Sequence, residues 1–483
     1  AFFEVGRLKN LTLPEMNWVE TGRLDENGVT VIAGTFDAFD WNTFDSGENP
    51  IRLRWLQRAV LFLPPNYPNN TNPGDRAATR GVLYNRHDGN PAGEPLYTVW
   101  GVEFARNFNV PVLIHGWSPA LTHPAGFNSV HEMQFPLLKL FLRRRFCKWG
   151  DVPIDGSYAI NGNILVKGDL VAITLLQRLA QQEGGKVKKV GSLGISKEGN
   201  SHWTLAAVDD RVEIVAPGGH YAEDIHRLAQ AYYTDWGAKN RFQSGVKVNF
   251  TKLFLRLEDW YRSTELGGIL DRISNAANFQ DQIYSDFVLI SGDTTLAWQH
   301  DKAFPLGAET HFLRRFGPVP WRYVRIPDGS GILLDGNLSQ RAASLLPMVA
   351  DKLLAPKAPA PAIQQVWVET SNDRRFRVHA VQAPLPTLAL SLWAATSKNR
   401  WWTQVVQGSW VESSMSSSGS SQWVSDWSAP IPGDEAVAFF IEARTIAQYG
   451  SYWFYRIDTS QPHFLWPRPS LDPFVRLLWG VCR

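Results

Sequence analysis

The sequence predicts an α/β protein, a mostly parallel β-sheet with helices on both faces, followed by a C-terminal all-β sandwich of immunoglobulin-like form. Three observations predict it. Between residues 110 and 326 short apolar runs alternate with helix-spaced stretches, and parallel strands need such crossovers. Residues 355–361 (APKAPAP) read as a stiff, extended linker. Beyond them only strand-like runs recur, divided by turns. The expected boundaries are 1–352 for the α/β part, 353–365 for the linker, 366–460 for the sandwich and 461–483 for a tail.

Residues 1–100 read as strands and turns. Arg52 to Leu63 ends as a strand, closed by Pro64-Pro65, and a polar loop follows from Pro68 to Ala78. Val110 to His115 is a short apolar run before Gly116 and suits a buried parallel strand. From Asp169 to Glu183 the spacing turns helical: Leu170, Ile173, Leu176 and Leu179 share a face, and Gly184-Gly185 stops the helix. A strand over Lys188–Leu193, a helix over Asn200–Val208 and strands over Val212–Ala216, Phe287–Ile290 and Tyr323–Ile326 complete the α/β part.

The sandwich strands are expected at Gln365–Glu369, Phe376–Val381, Leu388–Ala394, Trp401–Val406, Trp410, Trp423–Trp427 and Ala436–Ala443. The run Ser413 to Ser421 reads as a flexible loop within it. Gln461 to Arg483, rich in Pro and Trp, reads as a tail packed back on the surface.

Composition excludes several classes. At 483 residues and a net charge of +2 there is no global electrostatic case for nucleic acid or an anionic membrane. The cluster Leu142-Arg143-Arg144-Arg145 reads as a solvated helix face. No run of 18 apolar residues is present, so no transmembrane helix is expected. Cys147 and Cys482 cannot build a Cys-rich zinc site; they leave one long-range disulfide or two thiols open. His220, Asp224 and His226 carry metal-ligand side chains at ordinary loop spacing, so no metal and no cofactor are expected. Sequons at Asn10, Asn69, Asn249 and Asn337, with a start at Ala1-Phe2-Phe3, lean toward a secreted glycoprotein whose signal peptide is gone. The 21 tryptophans read as large aromatic cores, or as carbohydrate platforms at Trp401, Trp402, Trp423 and Trp427.

The most informative segment is Gly194-Ile195-Ser196-Lys197-Glu198-Gly199, between an expected strand and an expected helix. A serine on a Gly-flanked strand-to-helix turn is the nucleophile elbow of α/β-hydrolases, where small neighbours let a strained backbone hold the hydroxyl clear. The second glycine comes one residue later here than in the usual G-x-S-x-G. Lys197 would lend its backbone N–H to an oxyanion, with a second donor from near Gly116-Trp117. Gly116 serves equally as a plain strand exit. His115 reads as a hydrogen-bonded structural histidine or a pocket residue. His202, six residues past Ser196, points away from the elbow on an ideal helix.

This block, continued by Trp203, Leu205 to Asp209 and Arg211-Val212, resembles the PhoPQ-activated pathogenicity-related family. That family includes the secreted autocrine proliferation repressor of social amoebae. Ile290-Ser291-Gly292 with Trp298 and Asp301, Gly317-Pro318 with Trp321 and Tyr323-Val324, Leu392 to Thr396 and Phe439 to Glu442 extend the similarity along the chain. The resemblance implies an α/β-hydrolase-like fold. It also implies an acid in the turn after the penultimate sheet strand and a histidine in the turn after the last. Here those positions hold Thr295 and Ser330, and no histidine lies between Phe312 and Val378.

A serine without a base is a poor nucleophile, so two changed positions lead to the expectation of a retired site. The chain is thus expected to be a secreted, non-enzymatic protein acting by binding an unknown protein or glycan in a signalling, matrix or assembly role, with self-association left open. The alternative is an active serine hydrolase, an esterase or peptidase. In it Ser196 is served by a relocated base such as His300 or His311, with Asp293 the nearest carboxylate. A third alternative is carbohydrate binding through the tryptophans above.

Overall fold

A computed structural model describes residues 4–44, 50–68, 76–86, 95–117, 161–195, 197–218, 263, 286–292, 321–326, 345–354, 363–370, 375–382, 387–397, 410–419, 421–427, 435–449 and 452–465. In chain order the strands of the α/β part are β1 (Val19–Glu26), β2 (Val29–Phe44), β3 (Pro50–Leu63), β4 (Arg80–Arg86), β5 (Val112–Trp117), β6 (Lys189–Ile195), β7 (Val212–Gly218), β8 (Asp286–Gly292) and β9 (Trp321–Ile326). They form one sheet in the order β1-β2-β3-β5-β4-β6-β7-β8-β9. The pairs from β1 to β3, and β3 with β5, are antiparallel. From β5 through β4 to β9 every pair is parallel. This is an α/β-hydrolase-like mixed sheet, more antiparallel at its N-terminal edge than the sequence pattern suggests.

The described helices are α1 (Val5–Leu8), α2 (Pro95–Phe108), α3 (Asn161–Gln182), α4 (Lys197–Val208) and α5 (Leu345–Leu354). Successive strand residues alternate between faces, so each strand feeds two cores. On β5, Leu113 packs with Leu170, Ile173, Leu176 and Trp203, beneath α3 and α4. Its neighbours Val112 and Ile114 pack with Phe104, Phe108, Val349 and Leu353, beneath α2 and α5. Burying a Leu or Ile contributes roughly 1.5–3 kcal/mol, so the apolar stripe of α3 fixes that helix to the sheet. The helix ends where the sequence signals: Gly184 adopts φ 83° and the Gly185 N–H donates to the Ala180 carbonyl at 2.8 Å.

The C-terminal strands are β10 (Ile363–Thr370), β11 (Phe376–Gln382), β12 (Ala389–Ser397), β13 (Val411–Ser414), β14 (Ser416–Ser417), β15 (Gln422–Asp426), β16 (Ala436–Tyr449), β17 (Tyr452–Thr459) and β18 (His463–Leu465). They make two antiparallel sheets, β10-β11-β15-β14 and β13-β12-β16-β17 with β18 beside β16. Phe376, Val378 and Ala380 of one sheet share a core with Leu390, Leu392, Phe439 and Ile441 of the other. Part of the expected serine loop is strand, since β13 and β14 run through it. β10 begins inside the expected linker and β18 lies inside the expected tail. The expected strand Trp401–Val406 lies outside the described residues.

The β16–β17 hairpin, of which the sequence reading had only the first half, joins the two parts. The Phe108 ring of α2 meets Tyr449, Tyr452 and Phe454 at 5.6, 5.5 and 5.9 Å between centroids. Arg456 makes a two-pronged pair with Asp351 of α5 at 2.9 and 2.6 Å. Among the described residues no helix is long and apolar enough to cross a membrane.

Candidate functional site

Parallel α/β sheets gather their chemistry at the carboxyl ends of the strands. Strand β6 ends at Ile195 and helix α4 starts at Lys197, so a single residue, position 196, connects them. Strand β6 is flanked by β4 and β7, and β8 is two strands away. Gly194 and Gly199 are both buried. Ser196 itself lies outside the described residues, as do Asp293, Thr295, His300, His311 and Ser330. His220, Asp224, His226, Asn69, Asn249, Asn337, Cys147, Cys482, Trp401, Trp402 and the arginine cluster at 143–145 lie outside them too.

Directly beneath this turn lies a buried polar network on the α3/α4 side of the sheet. Asp169 of α3 is its centre. The Asn85 amide of β4 donates to Asp169 Oδ1 at 2.6 Å, and the Ser201 hydroxyl of α4 donates to Oδ2 at 3.0 Å. His115 Nε2 of β5 stands 3.3 Å from Oδ1, within ion-pair reach but not aligned as a hydrogen bond. His115 Nδ1 meets Gln57 Oε1 of β3 at 2.7 Å. His202 Nδ1 is 3.4 Å from the Ser201 hydroxyl and 3.9 Å from Asp169 Oδ2. All six side chains are 4% exposed or less. Register fixes the level of this layer: Asn85 pairs with His115 on one side and with Gly194 on the other, two residues before position 196.

The sequence reading places His115 and His202 only in part. His115 is a buried, hydrogen-bonded histidine, and its Phe36 neighbour stacks edge-on at 6.3 Å. His202 points inward to Ser201 and Asp169. Asp169, Asn85, Ser201 and Gln57 were missed. A signal existed for Asp169, because helical spacing from Val166, Ile173 and Leu176 puts it on the apolar face, where an unpaired charge is costly.

The remaining expected positions are distributed elsewhere. Lys197 opens α4. Trp117 closes β5 and pairs with Gln57 of β3. Since β4 separates β5 from β6, Trp117 stands one strand further from the elbow than the end of β4 does. Asn10 is exposed, and its side chain donates to the Gly6 carbonyl at 2.8 Å. His379 stacks on Trp367 at 4.8 Å and His463 on Phe439 at 5.1 Å. Trp427 is 9% exposed and sits in the sandwich core, Trp423 is partly buried against the same core, and among the described residues Trp453 is the most exposed tryptophan, at 61%.

No protein-family model and no curated protein matches the chain. Solved structures similar to it include an acetyl xylan esterase from Paenibacillus sp. R4, with a TM-score of 0.37 at 12% identity over 69% of this chain and 88% of that one. A glucuronoyl esterase from Solibacter usitatus gives a TM-score of 0.38 at 12% identity, over 71% and 87%. A rice cell wall degrading esterase from Xanthomonas oryzae gives 0.33 at 10% identity, over 68% and 91%. These neighbours are esterases, and with that finding the expectation of a retired, non-enzymatic binding protein is corrected. The expectation leaned on the changed positions Thr295 and Ser330, both outside the described residues, and itself left His300, His311 and Asp293 as replacements.

Proposed function

We propose that the chain is a serine hydrolase, an esterase or peptidase, with Ser196 as nucleophile. One observation carries this reading: a single residue joins the carboxyl end of β6 to the first turn of α4, amid parallel strands. That is the strand–turn–helix context in which the elbow motif has chemical meaning. In this reading a relocated base, His300 or His311 in the chain after β8, takes the Ser196 proton as its oxygen attacks an acyl carbonyl. The Lys197 N–H and a second donor hold the oxyanion, and the base returns the proton to the leaving group. Water then cleaves the acyl-enzyme by the same steps in reverse.

Two attributes belong to the same proposal. Membership of the PhoPQ-activated pathogenicity-related family is supported by Asp209 and Arg211 of the shared block, which form a buried ion pair at 2.6 Å. A secreted chain with an immunoglobulin-like sandwich is supported by the sequons and by the two facing C-terminal sheets.

The test is intact mass after treatment with a fluorophosphonate probe, beside Ser196→Ala. One adduct, absent from the variant, is the expected result, followed by an ester and peptide panel and by His300→Ala and His311→Ala. A folded protein that takes no adduct overturns the proposal.

A further inference from the structure

The Asp169 layer has more built into it than packing requires. A carboxylate, two imidazoles, two amides and a hydroxyl are withdrawn from water in one place, at the level of Gly194. Burying such groups costs stability unless each bond is made, and an apolar core of the same volume would be simpler. The elements they join are informative. Ser201 is the fifth residue of α4, whose first turn follows position 196. Asn85 and His115 are near the carboxyl ends of β4 and β5, and Gln57 lies on β3. One carboxylate on α3 therefore ties the start of α4 directly to β4 through two hydrogen bonds, with His115 and Gln57 extending the layer to β5 and β3.

We infer that the Asp169 network is a positioning device for the elbow: it sets where α4 begins over the sheet, and hence where Ser196 stands relative to its attack trajectory. Asp169, Asn85 and Ser201 are positioning residues, buried at 4% exposure or less and out of reach of a substrate. The inference rests on the serine-hydrolase reading above. Its physical basis is the steep dependence of reactivity on geometry, where a displacement of about 1 Å costs on the order of 100-fold. A helix start bonded through Ser201 to a carboxylate that Asn85 of β4 holds in turn resists that displacement. With either bond lost, the directional link that runs from β4 through Asp169 to α4 is broken, and apolar contacts, which are not directional, cannot replace it.

The experiment measures the rate and the extent of fluorophosphonate labelling of the full chain, with folding checked by circular dichroism. Asp169→Asn keeps the shape and removes the charge, Ser201→Ala removes one bond, and Ser201→Thr restores a hydroxyl. Thr174→Val removes a buried hydroxyl further along α3 and serves as the destabilised control. Positioning predicts an inactivation rate constant reduced about tenfold or more in Asp169→Asn and Ser201→Ala, with the probe's apparent affinity and the final extent unchanged. It also predicts recovery in Ser201→Thr and a wild-type rate in Thr174→Val. A purely structural role would instead lower the extent or the midpoint of unfolding and leave the rate constant alone. Should Asp169→Asn fail to fold, Ser201→Ala and Ser201→Thr decide the matter. Wild-type rates in the folded variants, or equal slowing in Thr174→Val, overturn the inference while leaving the hydrolase reading intact. A wild-type protein that never labels overturns both.

Discussion

Helices α3 and α4 are pinned to the sheet by two buried polar networks, one near each edge, and the two are built differently. Further along α3, toward the amino end of β7, Arg211 uses every donor it has. Nε and Nη2 bond Asp209 at 2.6–3.0 Å, Nη1 bonds Thr174 Oγ1 at 2.8 Å and Gln177 Oε1 at 2.9 Å, and Nη2 also bonds the Leu170 carbonyl at 3.1 Å. A permanent cation meets a carboxylate and all five N–H groups are satisfied. At the carboxyl edge Asp169 has amide and hydroxyl donors and two imidazoles around it, and no guanidinium or ammonium among its described contacts. The first arrangement is what a clamp needs. The second leaves polar capacity incompletely used, with His115 Nε2 out of line with Asp169, and it sits where a strand hands over to a helix. Incomplete satisfaction is a feature of functional regions more than of scaffolding.

Breaking the clamp is the harshest test of that contrast. Arg211→Met leaves the Asp209 carboxylate, 1% exposed, with Lys9 at 3.3 Å as its remaining charged partner. Removing one partner of a buried pair costs about 3–5 kcal/mol. A large fall in the denaturation midpoint is expected, while the labelling rate constant of the molecules still folded stays at the wild-type value. A slowed rate at unchanged folded fraction would mean that the two networks are not separate in function.

A smaller and more selective change acts inside the other network. A Cβ added at Gly168 would lie 2.7 Å from Gln57 Nε2, so Gly168→Ala must displace that amide and with it the 2.7 Å contact to His115. The steric cost is about 1–3 kcal/mol, and about 1 kcal/mol of it is offset because Ala is the better helix residue. Stability is therefore expected to change little, by about 0–2 kcal/mol, while the His115 ring resonances move in an NMR spectrum and labelling slows. Unmoved His115 resonances would show that Gln57 does not hold the ring.

The two networks also differed in how far the sequence announced them. Asp209, Arg211 and Val212 stood out within the block around Ser196, yet their use as a clamp depends on Thr174 and Gln177, 34 to 37 residues away in the chain. The strands and helices from Val110 to Ile326 were legible because apolar runs and Gly stops are local signals; α3, with its Leu170 stripe and its Gly184 end, is the clearest case. Strands β1 and β2 were read only as part of a stretch of strands and turns, without bounds, and β17 was not read; β1 is exposed along nearly its whole length and so carries no apolar period. Asp169 was legible in kind, as a charge on an apolar stripe, but not in purpose. The crossing of β4 between β5 and β6 decides which residues share its level, and strand order is a long-range property that no local spacing encodes.

The smallest expected effect concerns acid. Asp210, next to the clamp, has its carboxyl held below its ordinary value of 3.8, first by the hydrogen bond from Lys9, which outweighs the opposing effect of burial, and then by the charges of Lys9, Lys189 and Arg211. A carboxyl whose folded pKa is depressed contributes stability that is present in full above its unfolded pKa and lost as pH falls through the folded one. The loss therefore begins near pH 4 and continues below it. Asp210 is 80% exposed, so solvent screens the pair and its share is at most about 1 kcal/mol. Asp210→Asn should flatten a small part of the slope of melting temperature against pH below about 4, and leave the neutral-pH labelling rate untouched. A slope unchanged by the substitution would place the acid sensitivity of this edge on Glu4, whose carboxyl the Arg7 guanidinium holds down in the same way. Because Lys9 bridges Asp209 and Asp210, loosening at Asp210 by acid acts on the clamp and reaches α4 at the end remote from Ser196.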